Sequence, residues 1–472
     1  MPISARFRPG TTLLVSVIAA GCVRTETLFV EQPLYEDPPA AASGFLGYTN
    51  ATSKRPVCGN CHIGQYGEWQ ATAHAGAWEG LQSSGVAQAA CEGCHSVGAR
   101  GNLVTDENVG WMATADARYH DVQCESCHGP GLEHVTNPDA TQPLASLVVG
   151  VDLTSGCGEC HSGAHQPFVE EWASSRHGDM NPSPQSRAAC VPCHEARGIF
   201  AAWGIKADYI EKNGSQPIPI TCPVCHDPHD RSNPSQLRFP IDVANVETNL
   251  CMKCHQRRSV PDLTNPLQGP HSPQGPLLLG EAGWVPPNFS YEGGAIIATH
   301  GTEANPRLCA GCHVSRATVE DRSAGNLEFS ATGHLFKAIP CLDENGQPTP
   351  DEDCSIEQRS FATCAQLGCH GTQAAARSVL TVARGRIATL TETLNGVLDR
   401  VPATEFDNED NRLSTAEGAL FNASLAGQAG SPIHNPFLLE ALLTSSIRQV
   451  EIDYGIRPNG AVKLENILPL IR

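Results

Sequence analysis

Nine times the chain sets a histidine directly behind a closely spaced pair of cysteines, and no other feature restricts its folding so severely. Eight of these sites read Cys-x-x-Cys-His: Cys58, Cys61 and His62; Cys91, Cys94 and His95; Cys124, Cys127 and His128; Cys157, Cys160 and His161; Cys190, Cys193 and His194; Cys222, Cys225 and His226; Cys251, Cys254 and His255; Cys309, Cys312 and His313. The ninth, Cys364, Cys369 and His370, has four residues between its cysteines. This is the attachment signature of haem c. Two thiols add to the two vinyl groups on one porphyrin edge, and the next residue puts an imidazole under the ring as the proximal iron ligand. A zinc knuckle needs paired Cys-x-x-Cys units around one metal and no histidine after every second cysteine. A disulfide scaffold does not require that histidine either. The sequence therefore predicts nine haems c, the ninth attached through a bulged loop.

The composition agrees. Aromatic residues make up 6% of the 472, while Gly numbers 44 and Pro 35. Such a chain is loop-rich and poor in the residues that fill an ordinary core, so the cofactors must form much of it. The formal charge of −19 excludes a nucleic-acid binder, which needs a basic surface. It permits charge-steered docking to basic partners.

Arg6 and Arg8 precede an apolar run from Thr11 to Ala20, too short for a membrane span and suited to a signal segment. Ala19-Ala20-Gly21-Cys22 resembles the lipobox of bacterial lipoproteins, with Ala19 where that motif prefers Leu. The resemblance implies cleavage before Cys22 and lipid on its sulfur. The expected location is the cell envelope, as an outer-membrane lipoprotein on its periplasmic or cell-surface face.

An internal repeat organises the motif-bearing part of the chain. The cysteines that open the motifs at 58, 91 and 124 recur at 157, 190 and 222, with offsets of 99, 99 and 98. Each triplet contains an aromatic-x-x-Ser/Thr-x-His signature: Trp69, Thr72 and His74 in the first, Trp172, Ser175 and His177 in the second. Phe329, Thr332 and His334 form a weaker third copy. The expected division is a signal segment with lipobox over 1–22, a tether over 23–56, trihaem modules over 57–150 and 151–250, a degenerate third module over 251–371, and a helical cap over 372–472. In the cap, Leu380, Ile387, Leu390, Leu394, Val397 and Leu398 recur at helical spacing. Ser414 and Glu417 read as a capping box, and Asn435-Pro436 opens a third helix. The fold class expected is mainly α with long loops, low in regular secondary structure, with a C-terminal helical segment. Cys341 and Cys354 have no following histidine and are expected to pair as a disulfide.

Counting imidazoles bears on function. Of 19 histidines, nine belong to the motifs and ten remain: His74, His120, His134, His165, His177, His229, His271, His300, His334 and His434. Nine haems need nine distal ligands to be six-coordinate, so all ten are candidates, and His120 has the least support from position. Which one meets which haem is not legible in the sequence.

The Trp-x-x-Ser/Thr-x-His signature, the Cys124-Glu-Ser-Cys-His-Gly-Pro-Gly run and the C-terminal His434-Asn435-Pro436 resemble the multihaem cytochrome c superfamily over roughly residues 57–450. That superfamily includes tetrahaem carriers, pentahaem nitrite reductase, hydroxylamine oxidoreductase, tetrathionate reductase and outer-surface cytochromes of metal-reducing bacteria. The resemblance implies close-packed haems that pass electrons along a chain. The expected role is electron transfer in the envelope to an extracellular acceptor such as a metal oxide, or to partner cytochromes in a porin complex. Whether the chain is also an enzyme stays open. One alternative is a reductase or oxidoreductase of nitrogen or sulfur oxyanions with one open haem, for which the unusual Cys364–His370 site is the first place to look. Another is a subunit of a polymeric cytochrome filament.

Overall fold

The computed structural model describes residues 34–148, 156–163, 167–289, 296–321, 327–366, 368–407 and 409–458. The signal segment, Cys22 and His165 lie outside the described residues. The architecture is mostly helical with long loops, and among the described residues there are three sheets of two strands each. Before Gln373 no described helix exceeds seven residues. Isolated helices shorter than about 12–15 residues are marginal in water, so these turns depend on what packs against them. The motifs themselves are wound into such turns, as in Cys124–His128, Val191–His194, Cys222–Cys225 and Leu308–His313.

Part of the expected tether is folded. Ala42, Phe45, Leu46 and Tyr48 are buried against the first module, where the Tyr119 hydroxyl donates to the Phe45 carbonyl at 2.9 Å. Gly47 has φ +67°, and a Cβ there would lie 2.5 Å from the Arg118 carbonyl oxygen, so only glycine fits. The tether reading missed this because a polar, proline-containing stretch can still contribute a few anchors.

The C-terminal segment holds the largest apolar core. A helix over Gln373–Leu398 buries Leu380, Ile387, Leu390, Leu394, Val397 and Leu398, the stripe predicted from spacing. It packs on helices Thr415–Ala426 and Pro436–Tyr454. The Ser414 hydroxyl accepts from Glu417 N at 3.1 Å, and the Glu417 carboxylate accepts from Ser414 N at 2.8 Å, completing the capping box. Asn435 caps the last helix by accepting from Leu438 N at 3.0 Å. Its amide also donates to the carbonyls of Leu277 and Ile296, so one side chain ties the cap to the preceding module. Gly418 lets the Trp284 ring lie against the helix backbone, since a Cβ would meet that ring at 2.2 Å. Cys341 and Cys354 form the expected disulfide, with Cα atoms 6.0 Å apart.

Candidate functional site

The helical turns and loops between 57 and 436 surround one continuous cavity of about 4920 Å³ with largely apolar walls. Ordinary cofactor pockets measure ~300–1,000 Å³. All eighteen motif cysteines and all nine motif histidines line this space. Spread over nine motifs, its volume lies inside the single-cofactor range at each.

The aromatic signature has a structural reason. The Trp69 indole N–H donates to the Val122 carbonyl at 3.0 Å, and Trp172 donates to Ile220 at 2.7 Å. Both acceptors stand two residues before the third motif of their triplet. The Thr72 and Ser175 hydroxyls fold back onto the carbonyls of those same tryptophans, at 2.8 and 2.7 Å. The carbonyls of His74 and His177 then accept from Val122 N and Ile220 N, each at 3.1 Å. The signature thus clamps a histidine to the chain entering the third motif, in the same way in both modules. In the third copy Glu171 takes over. Its carboxylate accepts from Thr332 N, the Thr332 hydroxyl and His334 N at 2.7–2.8 Å, fastening this histidine to the second module. Sequence analysis missed Glu171, whose partners are some 160 residues away.

The structure sets eight motif histidines opposite eight of the remaining ones: His62 with His134, His161 with His74, His128 with His229, His255 with His177, His194 with His271, His226 with His334, His370 with His300, and His313 with His434. Ring centroids lie 6.1–6.3 Å apart in every pair, while the interplanar angles run from 12° to 71°. Ring stacking would constrain the angle and scatter the distance over ~4.5–7 Å. A single metal ion between two imidazoles does the opposite, because each ring turns freely about a metal–nitrogen axis of fixed length. Metal–imidazole bonds of about 2.0 Å on both sides, plus roughly 1.1 Å from nitrogen to centroid in each ring, give ~6 Å. These pairs have the spacing to hold iron from both faces of a haem.

The second nitrogen is set for that role. Nδ1 of His95, His128, His134, His226, His300 and His313 meets the carbonyls of Ala77, Pro143, Thr141, Ser235, Ile433 and Phe336 at 2.7–3.1 Å. A proton on Nδ1 leaves the Nε2 lone pair free for a metal. Burial lowers His74, His177, His334 and His434 to about 4, holding each imidazole neutral.

Two histidines depart from the pattern. His120 was a distal candidate, yet it does not line the cavity. Its ring stacks on Trp78 at 4.1 Å and 10°, with Trp111 edge-on at 4.8 Å. Trp111 is held in turn by Glu92 at 3.0 Å. The position of His120 shortly before Cys124 gave no hint of this, since Trp78 lies far back in the chain. His95 lines the cavity, but no described imidazole faces it. The unusual site behaves like the rest: His370 N donates to the Cys364 carbonyl at 3.1 Å, and its ring faces His300.

The comparisons agree with this geometry. Residues 57–129 match the family described as cytochrome c554 and c-prime, and residues 217–259 match the doubled CXXCH motif. The chain is 25% identical over 227 residues to the multihaem cytochrome MtrA of Shewanella baltica (strain OS185), covering 43% of this chain and 60% of that protein. No solved structure matches.

Proposed function

The chain is a multihaem c-type cytochrome, and on that premise we propose that it conducts electrons through nine haems c, each held by two thioether bonds and two imidazoles. The observation that carries the proposal is the eightfold imidazole pair at constant distance and variable angle. Haem c supplies a one-electron iron couple. The protein supplies paired neutral imidazoles, backbone acceptors that orient them and apolar walls, which together tune that couple. Pairs of this kind leave no coordination position for a substrate, which favours conduction over catalysis.

For His95 we propose His165 as partner, on the repeat. His194, in the middle motif of the second triplet, faces His271, which comes after the first motif beyond that triplet. The histidine in the corresponding place for His95 is His165, just after the motif at Cys157. We further propose an exported protein, lipidated at Cys22 on the outer membrane, that delivers electrons to a partner cytochrome, a porin-bound assembly or an extracellular metal oxide. The support is the Arg-led apolar run and Ala19-Ala20-Gly21-Cys22. Among the described residues no helix is long and apolar enough to cross a membrane.

Iron quantification with electron paramagnetic resonance of the oxidised protein tests the main reading. Nine low-spin irons per chain are expected. A high-spin iron present in the wild type and unchanged by His165→Ala would instead establish an open site at His95, and the alternative reading as an oxidoreductase would replace conduction at that position.

A further inference from the structure

The order of the motifs along the chain is not their order in space. The thiol of Cys58 lies against that of Cys124, joining the first motif to the third. Cys127 is within electrostatic reach of Cys157, joining third to fourth. Cys157 touches Cys222, joining fourth to sixth. Cys225 neighbours Cys251, joining sixth to seventh. Cys251 touches Cys309, joining seventh to eighth, and Cys312 neighbours Cys364, joining eighth to ninth. The two middle motifs of the triplets hang off this series. Cys94 touches Cys160 of the fourth motif, and Cys193 touches Cys254 of the seventh.

The histidines give a second record of six of these eight links. His128 interacts with His62, which links third to first. Phe168 stands edge-on to both His161 at 5.7 Å and His334, the partner of His226, at 4.9 Å, which links fourth to sixth. Phe336 stands edge-on to His177, the partner of His255, at 4.5 Å and to His334 at 5.6 Å, and its carbonyl meets His313 Nδ1 at 2.8 Å, which links seventh to sixth and to eighth. His300, the partner of His370, meets the carbonyl of Ile433, the neighbour of His434, at 3.1 Å, which links ninth to eighth. His255 interacts with His194 and His271, which attaches the fifth site to the seventh.

We propose that the sites form one line of seven, in the order first, third, fourth, sixth, seventh, eighth, ninth, with the second and fifth as side sites on the fourth and seventh. This rests on the conduction reading above. The side sites extend the store of electrons without lengthening the path.

Iron positions from anomalous scattering by crystals of the full chain test the order. Nearest neighbours are expected as first–third, third–fourth, second–fourth, fourth–sixth, sixth–seventh, fifth–seventh, seventh–eighth and eighth–ninth. Neighbours in sequence order would overturn the inference while leaving conduction intact, whereas fewer than nine irons would overturn the conduction reading itself. Function gives a second test, with the protein held on an electrode by its N-terminal end. A Met ligand raises the potential of a haem. A rise of about 59 mV holds the electron about tenfold longer. His334→Met, in the line, should cut the through-current about tenfold or more, and His271→Met, on a side site, should leave it within about twofold. Equal losses in the two variants would refute the side position of the fifth site.

Discussion

Replacing Glu125 by Gln should change the stability of the first module in a way that depends on pH. Glu125 lies inside the third motif with its side chain buried, and its two oxygens accept three backbone N–H groups: Leu46 at 2.9 Å, Gly47 at 2.7 Å and Gly131 at 2.7 Å. Burial raises the Glu125 carboxyl from 4.5 to about 7, against the lowering effect of its N–H donors. The folded state therefore holds the proton more tightly than the unfolded one. The stability this contributes is full below about 4.5 and is lost as pH rises through about 7. The protonated acid has one carbonyl acceptor and one donor, as Gln has, so variant and wild type should be close in stability at pH 5. At ~1.4 kcal/mol per pKa unit the wild type should lose about 3 kcal/mol relative to the variant by pH 8. Hydrogen exchange on the peptide containing Leu46 and Gly47 reads this locally. Between pH 5 and pH 8 the wild type should lose about 100-fold in protection relative to the variant after correction for intrinsic rates, since 1.4 kcal/mol is tenfold. A penalty that grew with pH would refute the assignment of burial as the dominant effect.

Replacing Cys341 and Cys354 together by Ala opens a loop of sequence separation 13 and should cost about 3 kcal/mol in the chain-entropy account, seen as a lower thermal midpoint without a change in the visible haem spectrum. Leu390→Ala removes a fully buried side chain from the C-terminal core and should cost about 2–5 kcal/mol, with loss of protection in helices Gln373–Leu398 and Pro436–Tyr454.

Cofactor chemistry and its local geometry were legible in the sequence because they are short-range. Cysteine spacing and the adjacent His95 or His128 specify an attachment site within five residues, and the period of Leu380 to Leu398 or the pair Ser414 and Glu417 specify a helix and its start within one or two turns. The repeat also anticipated that His74 and His177 stand in equivalent places, each clamped to the chain entering the third motif of its triplet. Pairing was different in kind. That His74 faces His161, that His334 faces His226 through a clamp from Glu171, and that His120 is drawn into a stack with Trp78 instead of reaching the cavity are contacts between residues tens to hundreds of positions apart. No local pattern encodes them, because an imidazole is the same ligand wherever it stands. Sequence determined the haem c attachment motifs; only the packing of short helical turns against one another decided which distant imidazoles come face to face.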